Sequence, residues 1–164
     1  MGSIQNKAKA VIGRSEKVDF PEFGIEALPA RIDTGASIST IWAGSVKENP
    51  SGGLDVVFFG PKSPVYTGQT RHFTLFGRTE VRSSNGQSQP RYTVRAAIIV
   101  GGRRIRATFT LADRSAQLYP VLIGRNILRG KFIVDVKLGS SLAEEKERKA
   151  ALKAKYGENP KETS

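Results

Sequence analysis

The sequence predicts an all-β domain followed by one C-terminal helix, and three observations support this fold class. Seventeen glycines and eight prolines are spread along the 164 residues, which favours many turns between short strands. Short runs rich in Val, Ile, Thr and Phe alternate with these turn signals. Only residues 139–164 carry a helical charge pattern, so we predict a disordered N-terminus at 1–10, a β domain at 11–138 and a helical tail at 139–164.

The first half of the chain contains apolar runs that predict strands. The first two lie near Val11 to Gly13 and Lys17 to Phe20, as two short strands or one strand broken by a bulge. The next three predicted strands are FGIEALPARID at 23–33, SISTIWA at 37–43 and LDVVFFG at 54–60. The stretches KENPSGG and PKSPVYTGQT that surround the third run are predicted loops.

The second half predicts two hairpins, a short strand and a helix. Asn85-Gly86 predicts a type I′ turn, in which both central residues have positive φ. Gly101-Gly102 predicts a second hairpin between Arg91 and Leu111. YPVLIGRNIL predicts an apolar strand that leads into a turn and a short helix, and KFIVDV closes the β domain. In the tail, Ser141 and Glu144 form a capping box ahead of a mostly solvated helix.

Composition excludes several classes of function. The chain has no cysteine and one histidine, so neither a Cys-based zinc site nor a catalytic zinc site is expected, and we predict no metal or cofactor. The net charge of +11 favours anionic partners. No apolar run approaches the length of a membrane span, and the N-terminus lacks the apolar core of a signal peptide. These features predict a cytoplasmic protein. The sequence is also compatible with a native leader that has been removed.

The stretch PARIDTGASISTIWA places an aspartate between two apolar runs. Asp, Thr and Gly are common in turns, so Asp33-Thr34-Gly35 alone is compatible with an ordinary turn. A second segment, PVLIGRNIL, places apolar residues before Gly124 and the pair Arg125-Asn126 after it. The two segments together, in this order and in an all-β chain, resemble the retropepsin-type aspartic proteases.

The resemblance extends to a bacterial family known by the name ATP-dependent zinc protease. It rests on RIDTGASISTI, RSSNGQSQPRY and LADRSAQLYPVLIGR, and it covers about residues 11–138. That family is associated with ATP-grasp glutamate ligases, and a member has been linked to trimming glutamate tails. The zinc in its name does not fit this chain, and because no P-loop is present, any ATP use would belong to a partner.

The resemblance implies a closed retropepsin-like barrel and a role for each motif residue. Asp33, Thr34 and Gly35 would form the catalytic loop, and Ala36 and Ser37 would contact substrate. Two carboxylates must share one water and one proton, and this chain supplies one such motif, so the second would come from a second copy. The supporting segment beneath the loop would comprise Leu122, Ile123, Gly124, Arg125 and Asn126.

The Asn85-Gly86 hairpin lies where retropepsins carry the flap that covers the substrate. Its candidate substrate-binding residues are Arg82, Ser84, Asn85, Gly86 and Arg91; the alternative is an ordinary surface hairpin. Retroviral enzymes usually have an acid where this chain has Ser37. The acid would pair with the arginine of the Gly-Arg-Asn segment, so we expect Arg125 to find another partner, such as Asp113.

Eight arginines and no lysine lie between residues 71 and 106, a pattern that is equally compatible with recognition of carboxylates or phosphates and with a solvated sheet face. Three functions are compatible with this pattern. The first is a metal-independent aspartic peptidase that acts on acidic or glutamate-rich peptide as a homodimer, including one that is weak in solution. The second is a non-catalytic module of the same fold that binds acidic peptide or an ATP-grasp ligase partner. The third, a nucleic-acid-binding barrel, is disfavoured because stacking aromatics are few.

Overall fold

The computed structural model describes residues 8–83, 85–140 and 142–156, and its main body is a β-barrel. The strands of the first half are β1 Ala10–Ile12, β2 Ser15–Phe20, β3 Ile25–Ile32, β4 Ser39–Glu48, β5 Leu54–Phe58 and β6 Thr70–Phe73. Those of the second half are β7 Gly77–Arg82, β8 Ser88–Val100, β9 Arg103–Ala112, β10 Val121–Ile123 and β11 Phe132–Val134. The helices are a 3₁₀ turn at Pro21–Phe23, α1 Arg125–Leu128 and α2 Leu142–Tyr156.

Six of these strands close into a barrel in the order β3-β2-β8-β9-β4-β10. The closure depends on the short strand β10, which pairs in parallel with β3 and antiparallel with β4. Strands β5 and β6 extend the sheet beyond β4, and β7 pairs only with β8. The closed all-β barrel and the C-terminal helix confirm the predicted fold class.

The barrel interior is filled by the inward-facing residues of the six strands, because side chains alternate between the two faces of a strand. Val18, Ala30, Val121, Ile123 and Phe109 are all inaccessible to solvent. Trp42 is 8% exposed and packs edge-on against Phe59. This apolar core fixes the ends of β3 and β10, where the Asp33 loop begins.

The hairpin at Gly101-Gly102 is confirmed. Both glycines have positive φ, at 54° and 75°, and β8 pairs with β9 up to Val100 opposite Arg103. The turn at Asn85-Gly86 differs from the predicted type I′. Only Gly86 has positive φ there, and the Ser83 amide donates to the Gln87 carbonyl, so the hairpin closes around a longer loop that ends in a left-handed glycine.

Helix α2 lies mostly exposed, as its thin apolar stripe predicts. Its Arg148 guanidinium sits 5.1 Å from the centre of the buried Tyr119 ring, and Lys155 donates to the carbonyl of Lys62. The predicted cap residue Ser141 lies outside the described residues, as does most of the predicted N-terminal tail. Among the helices described, none has the length and apolarity needed to span a membrane.

Glu22 joins the 3₁₀ turn to the barrel and gives the fold a small pH dependence. Its carboxylate accepts the Ala97 amide at 2.7 Å and pairs with Arg106 at 3.3 Å, and these contacts lower the pKa of Glu22 below its ordinary value of 4.5. A lowered folded-state pKa stabilises the protein above the unfolded value, and this contribution disappears as pH falls through the folded value.

We therefore expect Glu22→Gln to lower the free energy of unfolding at pH 7 by less than about 1 kcal/mol, since the pair is partly exposed. Urea unfolding of both proteins should show this difference shrinking as the pH falls below 4.5. A difference that stays constant from pH 7 to pH 3 would mean that the charge of Glu22 contributes nothing to the effect.

Candidate active site

Asp33 follows directly on β3 and begins a loop that is held from within the barrel. The Asp33 amide donates to the Ile123 carbonyl of β10 at 2.9 Å, which continues the parallel pairing of the two strands. One carboxylate oxygen of Asp33 accepts the Gly35 amide at 3.0 Å, and the Ala36 amide donates to the Asp33 carbonyl. A side chain on Gly35 would lie 3.2 Å from that oxygen, so glycine keeps the carboxylate accessible.

Arg125 supports the loop through its backbone carbonyls. Its amide donates to the Ala36 carbonyl at 2.8 Å, and its guanidinium donates to the carbonyls of Thr34 at 3.1 Å and Gly35 at 2.9 Å. The prediction that Arg125 pairs with Asp113 is therefore wrong. Asp113 instead accepts the Ser115 amide. The carbonyls of Thr34 and Gly35 thus accept the hydrogen bonds that Arg125 would otherwise donate to an acid at the position of Ser37.

Gly124 and Asn126 join the loop to the start of β4. The Gly124 amide donates to the hydroxyl of the buried Ser39, and Asn126 accepts both the amide and the hydroxyl of Ser39. The Asn126 amide group also donates to the Thr108 carbonyl of β9 at 2.8 Å. The predicted supporting segment thus lies against the Asp33 loop, with Ile123 in the core and Leu122 half-buried on the other face of β10.

The loop that this network holds is exposed. Thr34, Gly35 and Ser37 are exposed, while Asp33 and Ala36 are half-buried. A carboxylate at the surface, positioned by backbone hydrogen bonds on a rigid barrel end, is available for acid–base chemistry with a ligand or with a second copy of the chain.

The candidate flap is the β7–β8 hairpin, which extends from the barrel because β7 pairs only with β8. Register places Arg82 opposite Ser88 and Thr79 opposite Arg91. Arg82, Asn85 and Gly86 are exposed, and Arg91 is half-buried. Ser84, also a candidate contact, lies outside the described residues.

Two arginines near the loop escape prediction from the sequence. Arg31 lies two residues before Asp33, and Arg114 donates from Nε to the Tyr119 carbonyl at 2.9 Å. Burial, followed by the charges of Arg91 and Arg31, lowers the pKa of Arg114 to about 10, while Asp33 acts in the opposite direction. These three charged groups therefore lie within electrostatic range of Arg114. Arg114 lies outside the arginine-rich stretch 71–106, and Arg31 is an isolated arginine before the motif. Their spacing in the sequence therefore does not predict that both lie near the Asp33 loop.

No group of three or more acidic or histidine side chains that could hold a metal ion occurs among residues 8–83, 85–140 and 142–156. His72 pairs with Asp55 at 2.6 Å on an exposed part of β5 and β6.

Comparison with solved structures supports the fold. The chain is similar to a crystal structure of a protein with unknown function from Legionella pneumophila, with a TM-score of 0.63 and 24% identity. The match covers 82% of this chain and 98% of that one. At this identity the likeness concerns the fold alone.

Curated relatives share this domain as part of longer proteins. A probable alpha-L-glutamate ligase of Shewanella pealeana is 31% identical over 131 residues, which cover 77% of this chain and 28% of that protein. A probable alpha-L-glutamate ligase of Desulfotalea psychrophila is 29% identical over 143 residues, covering 85% of this chain and 31% of that protein. The chain thus spans less than a third of the length of these relatives.

A family model describes the barrel together with the motif loop. The model with the description "RimB-like: Retropepsin-like aspartic endopeptidase RimB" matches residues 11–145, which include Asp33, the hairpin and the Gly124 segment. The match spans most of the chain and agrees with the closed six-stranded barrel. The chain belongs to the RimB-like family of retropepsin-like aspartic endopeptidases.

Proposed function

We propose that the chain is an aspartic-type peptidase that acts on acidic or glutamate-rich peptide. The observation that carries the proposal is the exposed Asp33-Thr34-Gly35 loop, held from beneath by Ile123 and Arg125. Family membership supports the reaction class, and the net charge of +11 supports an acidic substrate.

The second carboxylate of the site would come from Asp33 of a second copy. Of the five aspartates in the sequence, Asp33 alone is followed by Thr-Gly, so one chain supplies one carboxylate of this kind. Two-fold symmetry would bring the two exposed loops together on the axis, so that one motif supplies both carboxylates.

In this dimer the two carboxylates would share one proton, because two like charges about 3 Å apart do not both ionise. The ionised carboxylate takes a proton from a water, and the water oxygen attacks the peptide carbonyl carbon. The protonated carboxyl donates its proton to the carbonyl oxygen, which gives a tetrahedral gem-diol. The carboxyl that took the water proton then passes it to the peptide nitrogen, which leaves as the C–N bond breaks, while one gem-diol hydroxyl returns a proton to the other carboxylate and becomes the new carboxyl carbonyl. The β7–β8 hairpin would cover the substrate and exclude other water.

The direct test is mass spectrometry of a poly-glutamylated peptide after incubation with the protein. The proposal expects shortened glutamate chains with the wild type. An unchanged peptide, at protein concentrations high enough to populate a dimer, would contradict it.

Chelators should leave this activity unchanged. EDTA at millimolar concentration removes adventitious zinc, and the carboxylate mechanism needs none. We expect equal cleavage rates with and without EDTA, measured on the same peptide by mass spectrometry. Activity that is lost in EDTA and restored by added zinc would show that the chemistry belongs to a metal.

A second candidate is a binding module for a glutamate ligase. It is favoured by the relatives named probable alpha-L-glutamate ligase, in which a similar domain makes up less than a third of a longer protein. An ATP-grasp ligase would then be the partner of this chain. Ligase binding that persists in Asp33→Asn, together with no cleavage by the wild type, would favour this candidate.

A further inference from the structure

Three of the eight arginines between residues 71 and 106 line one open groove on the outside of the barrel. The groove has a volume of about 1000 Å³ and is bordered by the 3₁₀ turn, β6, the start of β7, β8 and β9. Its positive charge comes from Arg71, Arg95 and Arg106. None of the residues that line it belongs to the Asp33 loop or to the tip of the β7–β8 hairpin.

Strand register places two of these arginines side by side. Arg95 pairs with Thr108, and two residues further along each strand Ala97 pairs with Arg106. Residues at this diagonal are about 7–8 Å apart on one face of a sheet, which is within reach of long side chains. Arg95 and Arg106 are exposed and are flanked along their strands by buried residues, so they share the outward face.

The 3₁₀ turn connects the third arginine to this pair. Glu22 pairs with Arg106 at 3.3 Å and also accepts the Ala97 amide at 2.7 Å. The carbonyl of the next residue, Phe23, accepts a hydrogen bond from Arg71 at 3.3 Å, and the Arg71 guanidinium lies 5.4 Å from the centre of the Phe23 ring. Arg71 and Arg106 are therefore held by two neighbouring residues of one turn.

The groove has an excess of positive charge. Among the described residues that line it, Glu22 is the only one with a carboxylate, and that carboxylate is paired with Arg106. Arg71 has no carboxylate partner, and Arg95 has neither an ion pair nor a hydrogen bond with the part of the chain that the structure describes. Two arginines are thus available to an anionic partner.

An apolar rim adjoins the arginines and indicates which kind of anion fits. Leu75 is 85% exposed, and Phe73 and Phe76 beside it are half-buried. Phe73 packs edge-on against Phe23, and the Arg78 guanidinium lies over the Phe76 ring at 5.9 Å. Bases of nucleic acid stack on open ring faces, whereas an aliphatic side chain can pack against Leu75. The rim therefore favours a protein segment over nucleic acid.

We propose that this groove is a docking site for an acidic segment of a partner protein that carries aliphatic residues among its carboxylates. Arg71 and Arg95 bind the carboxylates through their N–H donors, and Leu75 packs against an aliphatic side chain. The segment binds outside the Asp33 loop. The inference goes beyond the proposed peptidase function and does not depend on it, because binding in the groove requires neither cleavage nor a second copy of the chain.

Fluorescence anisotropy in the Asp33→Asn background measures binding without interference from cleavage. The probe is a labelled peptide with leucines among its glutamates. Arg95→Gln is expected to weaken its binding about threefold to fivefold, as for an exposed charge pair, and this loss should fade at high salt. Leu75→Ser should weaken binding about threefold or more, because an apolar contact is lost. Both side chains are exposed, and circular dichroism checks that the fold is kept.

Arg129→Gln and Val136→Ser are the matched controls, because both side chains are exposed and neither lines the groove. Each control should bind the peptide within about twofold of the parent protein. A loss in Arg129→Gln equal to that in Arg95→Gln would show that net charge alone attracts the peptide and would overturn the inference. Unchanged binding in both Arg95→Gln and Leu75→Ser would also overturn it, since the peptide would then bind elsewhere.

Two further ligands test the chemistry of the partner. A peptide with glutamine in place of glutamate should bind more weakly than the probe, and equal binding would contradict a role for the arginines. Unlabelled single-stranded RNA should displace the probe less effectively than the unlabelled acidic peptide does. RNA binding that is at least as tight, and that depends on Arg95 but not on Leu75, would show that the groove takes nucleic acid instead.

Discussion

Asp33→Asn is expected to lower peptide cleavage by about 10²–10⁴-fold, the usual contribution of a positioned acid–base group. Asparagine is almost the same size as aspartate, and its side-chain oxygen can still accept the Gly35 amide that Asp33 accepts at 3.0 Å. The loop should therefore keep its shape while losing its ionisable group. Cleavage of the glutamate-rich peptide, followed by mass spectrometry, measures the loss.

Asp113→Asn provides the control for this variant. Asp113 is exposed and accepts a backbone amide two residues ahead, as Asp33 does, but it lies outside the motif loop. Cleavage by this control should stay within about twofold of the wild type, as is usual for surface changes. If Asp33→Asn retains full activity, the carboxylate that cleaves the peptide is elsewhere.

Gly124→Ala is expected to cause a large loss of stability. A methyl group there would lie 2.7 Å from the Ile38 carbonyl oxygen, 2.8 Å from its carbon and 2.9 Å from the Ala36 oxygen. All three are backbone atoms of the segment that joins the Asp33 loop to β4, so relief requires the loop to move. We expect the free energy of unfolding to fall by about 1–3 kcal/mol or more, as for other overpacked sites, with cleavage lost as well.

Gly77→Ala is the matched control, because its methyl group would meet the Thr93 hydroxyl at 2.8 Å and no backbone atom. A side-chain hydroxyl can rotate away, so we expect little loss of stability. Urea unfolding of the two variants tests the comparison. Equal destabilisation by both substitutions would mean that the close approach of Gly124 to the loop has no special role.

The strands and the second hairpin could be predicted because their signals are local. Gly101-Gly102 supplies positive φ at both turn positions, and the apolar runs before Asp33 and Gly124 indicate the two strands that meet at the site. The Asn85-Gly86 turn type could not be predicted from the dipeptide alone. Loop length decides where the glycine falls, and here Asn85 does not adopt positive φ.

The partners of charged side chains were harder to predict than the strands. Arg125 binds the carbonyls of Thr34 and Gly35, and backbone acceptors of this kind leave no trace in the sequence. Arg31 and Arg114 are 83 positions apart by subtraction of their numbers. Arg31 lies in β3 and Arg114 follows β9, and these two strands are joined through β10 and β4. Long-range strand register, rather than residue type, thus determines this part of the candidate site.

The central claim is that two copies of Asp33, one from each chain, make a single active site. Its most direct test mixes wild type with Asp33→Asn at constant total concentration, after joint unfolding and refolding so that hybrid dimers form. If both aspartates are required, an equal mixture keeps about one quarter of the wild-type rate, since only one dimer in four has two intact loops. A rate of about one half, falling linearly with the wild-type fraction, would show that each chain acts alone and would contradict the account.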